Sequence, residues 1–388
     1  MQTPIGDRAV GPHLEAEIAF RLQRHAVAGG AVTVPPPGFA YPGQVDGGTV
    51  FGLDTRGGAP AVLPFNGAAR QIGVEAGRFV ARAAAQRVAR TADQGNFLLD
   101  QGLEGVWLFN MVDAQDRDYP DCAALFGDLP VLHYCRPLAR RDAVALVPLR
   151  GYYSDIGGPN VPLPGFDEIG PEDKIPQAVW RGAPSGTCHE AGHIYWLSGL
   201  LKQLPRLSGP ERAATEARIR AYGRVQLVAS AQGVAGVNAG FSAKDGFRPD
   251  WVEAHLPQAM QGWFVPPMHR TRQLRYRYIL ALEGNDVASG LYWILASHSV
   301  ALCGPRSWEI ILDRGLEPWV HYVPVAPDAS SVQARVAQLE ADPALRRRIV
   351  ANAQDFMHRA TDTALRAAVD RQSLARIAAR QQGLALGN

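Results

Sequence analysis

The chain has 388 residues, 47% of them hydrophobic and 20% charged, which is enough to bury a substantial core and, at this length, to divide it between two domains. A formal net charge of +2 removes any overall demand for a nucleic acid partner. Cys122, Cys135, Cys188 and Cys303 are scattered without a CxxC pair, which argues against a small disulfide-stapled module and for reduced thiols.

The first residues, MQTPIGDRAVGPHLEAEIAF, lack a basic segment followed by an apolar run, and no apolar stretch reaches bilayer-spanning length, so a cytoplasmic protein is expected. In chain order, periodicity predicts a helix over 12–28, a proline break at 35–37, a strand at 49–53 and a helix over 71–90. Strands follow at 105–112, 130–134 and 143–148, and a Gly- and Pro-rich linker at 157–176. A second alternating series then begins with a strand at 178–180, helices over 190–203 and 210–222, and a strand at 224–229. After an irregular stretch at 233–257 come a strand at 276–282, a helix over 287–297, a strand at 299–303, and helices over 330–339 and 343–381. Such alternation implies α/β architecture with mostly parallel sheets. The Arg-rich tail from Arg346 onward reads as a solvated helix face, with contact to an anionic membrane surface as the second account.

Two loops carry the chemistry. The strand at 276–282 ends in Glu283, Gly284, Asn285 and Asp286, so Asn285 or Asp286 is expected to cap a helix whose first amides, Val287, Ala288 and Ser289, point at an anion above the strand. Taken alone, such a turn is better read as an ordinary capped helix in an α/β core. The strand at 178–180 runs into Arg181, Gly182, Ser185 and Gly186, where glycine permits close backbone approach and Arg181 offers a forked cation.

The runs KIPQAVWRGAPSG, EGNDVAS and WEIILDRGLEPWVHYVPV occur in an order that resembles glycosyltransferase family 90, its bacterial members in particular, over roughly Tyr152 to Phe356. The resemblance implies a GT-B fold, two Rossmann-like domains facing across a cleft. It suggests an acceptor-side domain at 1–172, a nucleotide-sugar domain at 173–360 and a C-terminal helix, 361–388, crossing back to the first. It also implies an inverting, metal-independent transfer of a glucose- or xylose-type sugar from a UDP-sugar to a hydroxyl of a glycan or lipid-linked glycan, in lipopolysaccharide or capsule synthesis. No cofactor beyond the donor is called for, and the protein is expected in the cytoplasm or at the inner face of the membrane. In that family an aspartate in a Tyr-x-Asp-Ile setting is the proposed base, and Asp155 in GYYSDIGGP matches it, although an Asp there also suits a turn. Asp167 and Glu168 are weaker candidates. Ser289 aligns with a serine of the animal enzymes, whose basic residue two positions later is Leu291 here. Glu309 is either a ribose ligand or a helix-surface charge, and His321 matches a motif without a stated role and otherwise reads as a core histidine. Trp180, Trp293 and Trp319 sit in apolar patterns and read as core.

Two motifs compete. His189, Glu190, Ala191, Gly192 and His193 spell HExxH, which on a helix places two imidazoles on one face for zinc, with Glu211 or Glu216 as a third ligand, making a metallopeptidase the alternative enzyme. His189 otherwise neighbours the donor loop. Asp116-Arg117-Asp118 is a DxD that suits a divalent cation in another transferase fold, or simply a polar loop. A third reading keeps the nucleotide-sugar domain without catalysis.

Overall fold

The computed structural model describes residues 7–26, 32, 34, 49–113, 119–142, 144–149, 162, 165–190 and 193–382. Asp155, the Asp116–Asp118 motif and the centre of HExxH, Ala191 and Gly192, lie outside the described residues. Contacts divide the chain into two units: Met1–Asp155 with Glu309–Arg314 and Thr361–Asn388, and Ile156–Trp308 with Gly315–Ala360.

The first unit holds a mixed five-stranded sheet in the order Ala61–Leu63, Phe51–Asp54, Val106–Phe109, Val131–His133, Ala145–Leu146. Its first three strands are antiparallel and only the last pairings are parallel, so this unit departs from the mostly parallel sheet expected. The helix Asp7–Leu22 packs on the C-terminal helix Thr363–Gln381, bridged by Arg21–Asp370 and by Arg376–Glu15 at 2.6 Å. Gln381 exchanges side-chain hydrogen bonds with the backbone of Val106 at 2.7 and 2.8 Å, tying that helix to the sheet. The helix expected over 71–90 is instead a hairpin, Ile72–Glu75 with Arg78–Ala81, and then the helix Gln86–Asp100. Ala76 and Gly77 at φ 48° and 73° form its two-residue turn, a geometry that matches strand twist, and it overrides the helix propensity of Glu, Ala and Arg nearby.

The second unit contains one six-stranded sheet. We label its strands β1 (Ile175–Gly182), β2 (Val237–Ser242), β3 (Phe264–Val265), β4 (Tyr276–Ala281), β5 (Val300–Cys303) and β6 (Val323–Pro324). Every pairing is parallel and the spatial order is β3-β2-β1-β4-β5-β6, the order of a dinucleotide-binding Rossmann sheet. Alternate positions of the strands, Ala178 and Trp180, Tyr278 and Leu280, Val300 and Leu302, join one apolar core with Leu197, Ile219, Val225, Val332 and Ile349 from the helices. Trp293 is also buried, while Trp319 is half-buried beneath the Arg335 guanidinium at 5.1 Å.

Local expectations fail here where packing decides. The segment 224–229 is helical, Gly223–Ser230, because Val225, Val228 and Ala231 recur at helical spacing and all three are buried. The stretch 233–257 contains β2, and the helix expected over 287–297 shrinks to Leu291–Leu295, where Gly290 rather than Asn285 or Asp286 stands at the cap position. Arg346 does not belong to a solvated face: it is buried and reaches Glu172 at 2.6 Å and Glu340 at 3.1 Å.

Asp167 pairs with Lys174 at 2.8 Å with both side chains buried, and also accepts the His298 N–H at 2.8 Å. It therefore fastens the chain before β1 and is a poor candidate for a base. Asp167→Asn is expected to cost about 2 kcal/mol by leaving the ammonium without its counter-charge, read as a lower urea midpoint at unchanged slope.

Candidate functional site

In an open parallel sheet, ligands bind beyond the carboxyl ends of the strands where the winding reverses, because adjacent connections there leave in opposite directions. The reversal falls between β1 and β4. A pocket of about 390 Å³ opens at that point, lined by the loop after β1, the loop after β4, the start of the helix Gly223–Ser230, and residues following β5 and β6. The size suits a small-molecule ligand.

Arg224 holds the two loops together. It donates to the carbonyls of Ala183 at 3.1 Å, Leu282 at 2.8 Å and Glu283 at 2.9 Å, and to Ser185 Oγ at 2.5 Å. Its guanidinium also lies over the Trp180 ring at 5.5 Å. Burial pushes its pKa down to about 10 against the opposing pull of Asp286 and Glu283, so it remains a cation at neutral pH. Asn285 forms a second latch, accepting the Gly186 N–H on Oδ1 at 3.0 Å and the Thr187 hydroxyl on its carbonyl at 3.3 Å.

Glycine is required by this closeness. A Cβ at Gly284 would stand 2.6 Å from Arg224 Nη2 and 2.8 Å from Ser185 Oγ, and one at Gly186 would stand 2.8 Å from the Tyr222 ring. The Glu283 carboxylate is fixed at the pocket wall by the N–H groups of Ser307 at 2.7 Å and Trp308 at 3.1 Å. Because Ala221 to Arg224 line the pocket, the positive end of the helix Gly223–Ser230 opens into it beside the Arg224 charge. A cation, a helix terminus and glycine-flanked backbone together suit a phosphorylated ligand.

Of the residues singled out in the sequence, Ser185, Gly186, Glu283 and Gly284 line this pocket and Asn285 braces it. Val287 and Ala288 border a smaller adjoining cleft that shares Glu283 and Trp308, while Ser289 lines neither. Their amides do not begin the helix Leu291–Leu295, so the expected amide cradle is replaced by the terminus at Gly223. Asp286 contributes its carbonyl to the turn, accepting the Gly284 N–H at 3.1 Å. Arg181 turns away from the pocket and donates to the Asn238 carbonyl at 2.8 Å and its Oδ1 at 2.7 Å. Gly182 makes room for the Trp180 ring, which a Cβ would meet at 2.4 Å.

Glu309 belongs to the first unit, buried and paired with Arg136 at 2.7 Å and Arg141 at 3.0 Å, an arrangement that serves packing and not a ribose. His321 is buried, packs on Phe356 and accepts the Glu317 N–H on Nδ1 at 3.0 Å; burial lowers its pKa, consistent with a neutral core imidazole. The described residues of the HExxH run, His189, Glu190 and His193, are not helical. His189 lies in the strand Thr187–Glu190 and His193 in the strand His193–Trp196 of an antiparallel hairpin, which removes the shared helix face that a zinc peptidase needs. Glu190 instead pairs with Arg218 at 2.8 Å. Among the described residues no three His, Cys, Asp or Glu side chains group to hold a metal ion.

Arg224 and Gln226 fall in the segment 224–229 expected as a strand, and Tyr222 at the end of the helix expected over 210–222, so none of the three stands out in the sequence as a pocket residue. The three-residue spacing of Val225, Val228 and Ala231 was the available signal.

Residues 251–364 match the family described as Glycosyl transferase family 90. A 97-residue stretch is 41% identical to O-glucosyltransferase LpsA of Dichelobacter nodosus, covering 24% of this chain and 30% of that protein. Another of 87 residues is 34% identical to an uncharacterized protein, 035R, of Invertebrate iridescent virus 3, covering 22% of this chain and 8% of that one. The chain thus matches less than a third of the length of either relative. The family match includes β4, the Glu283–Asp286 turn, β5 and β6, whereas β1 and Arg224 precede it.

Proposed function

We propose that this chain, whose residues 251–364 match glycosyltransferase family 90, transfers a sugar of glucose or xylose type from a UDP-sugar to a hydroxyl of a glycan. The reading extends to a GT-B arrangement, to inversion without a metal, and to bacterial lipopolysaccharide or capsule assembly at the cytoplasmic face of the membrane. Among the described residues no helix is long and apolar enough to cross a membrane.

The observation that supports it is the pocket at the winding reversal of a β3-β2-β1-β4-β5-β6 sheet, with Arg224 and a helix N-terminus at its wall. In this account the diphosphate lies against the Gly186 and Gly284 loops, and the Glu283 carboxylate accepts from hydroxyls of the ribose or the sugar. Asp155 takes the proton of the acceptor hydroxyl as that oxygen attacks the anomeric carbon from the face opposite the diphosphate. The bond to the leaving oxygen breaks, and the charge that develops on the nucleoside diphosphate is stabilised by Arg224 and the helix dipole, both in place before reaction. Since the groups at hand are fixed and partly dehydrated, their electrostatic effect exceeds what it would be in water.

Thermal unfolding with a panel of nucleotides tests this. UDP and one or more UDP-sugars are expected to stabilise the chain, by about 2.7 kcal/mol at a hundredfold excess over Kd. Stabilisation by no nucleotide would defeat the proposal.

A further inference from the structure

We infer that the outer face of the hairpin Thr187–Glu190 and His193–Trp196 is a platform for the acceptor saccharide, with Trp196 as its stacking residue; the inference rests on the donor-pocket reading above. Among the described residues, Ile194 and Trp196 are the large hydrophobic side chains left exposed, at 39% and 38%. They are two positions apart on one strand and so share a side of the hairpin. The intervening side is anchored: Cys188 and Tyr195 pack against the core of the second unit, the Tyr195 carbonyl accepts the Tyr222 hydroxyl at 2.7 Å, and Arg218 covers the Tyr195 ring at 4.8 Å. The hairpin therefore presents Ile194 and Trp196 outward by construction.

This face is continuous with the pocket. Trp196 pairs across the hairpin with Thr187, which lines the pocket and bonds to Asn285. Directly after Trp196, the Leu197 N–H donates to the carbonyl of the pocket residue Gly186 at 2.9 Å, so the indole is attached to a braced backbone. Ile194 and Trp196 themselves do not line the pocket, which assigns them to the molecule that arrives beside the donor and not to the donor itself. A glycan suits that surface. One face of a pyranose presents C–H groups while its hydroxyls radiate around the rim, and an indole ring, electron-rich on its face, meets those C–H groups without requiring their desolvation to be offset by hydrogen bonds.

Trp196→Ala and Trp196→Tyr in the full chain test the platform, with the core oligosaccharide released from lipopolysaccharide as the acceptor probe. Trp196→Ala is expected to raise the acceptor KM about tenfold or more while UDP stabilises both proteins equally, and Trp196→Tyr is expected to restore most of the affinity. Quenching of tryptophan fluorescence by the oligosaccharide, lost in Trp196→Ala, supports the platform even if no nucleotide binds, which separates its fate from that of the donor reading. Equal acceptor KM and equal quenching in wild type and Trp196→Ala overturn it. So does a variant whose only change is weaker self-association or weaker binding to anionic vesicles, since the face would then serve a second copy or a lipid surface.

Discussion

Arg224→Met is expected to reduce transfer at least a hundredfold and to abolish stabilisation by UDP, with a loss of about 3 kcal/mol in urea unfolding. The guanidinium satisfies three carbonyls and the Ser185 hydroxyl drawn from two loops, so its removal strands several polar groups at once. Those loops are also the walls of the pocket, and their separation would spread Gly186 from Gly284. Arg224→Lys is expected to rescue little, because one ammonium cannot reach acceptors distributed around a planar fork. The check has two parts: urea midpoints for the fold, and donor KM with nucleotide-induced stabilisation for the site. Unchanged donor KM in a folded Arg224→Met protein would show that the diphosphate binds elsewhere.

Asp155→Asn is expected to lower kcat about a thousandfold while leaving UDP stabilisation intact. The substitution keeps size and a hydrogen-bonding oxygen but removes the capacity to take a proton, which is the task proposed for this group. Single-turnover transfer followed beside nucleotide binding separates the two effects. A protein that binds UDP equally well with either residue and transfers with neither fits the non-catalytic reading; transfer that survives in Asp155→Asn assigns the base to another carboxylate. Asp167 is not the replacement, since its oxygens are committed to Lys174 and the His298 N–H.

Several site elements were legible because they are local. An apolar strand that breaks into Glu283-Gly284-Asn285-Asp286, and another that breaks into Ser185-Gly186, announce strand ends with tight backbone on their own, and both sets reach the pocket or brace it. Misreadings arose where local composition served two structures. The Ala- and Arg-rich window 71–90 favours helix by propensity, yet its Ala76-Gly77 step turns it into a hairpin, and Arg224 to Ala229 looks β-favouring yet buries a helical stripe. HExxH is the sharpest case, since the same five letters signal zinc only when the backbone is helical.

By itself, the sequence determined that this is an α/β protein with strand–turn junctions around Ser185 and Glu283, and its ordered motifs carried the likeness to glycosyltransferase family 90. Only the tertiary structure decided that Arg224, and not Arg181, stands between those junctions, and that the positive helix end belongs to Gly223 and not to Val287. Arg224 is separated from Leu282 by 58 residues of chain, and what brings them to 2.8 Å is the order in which parallel strands pair. Pairing order is set by burial of whole strand faces in a shared core, a collective property that no single window of residues contains.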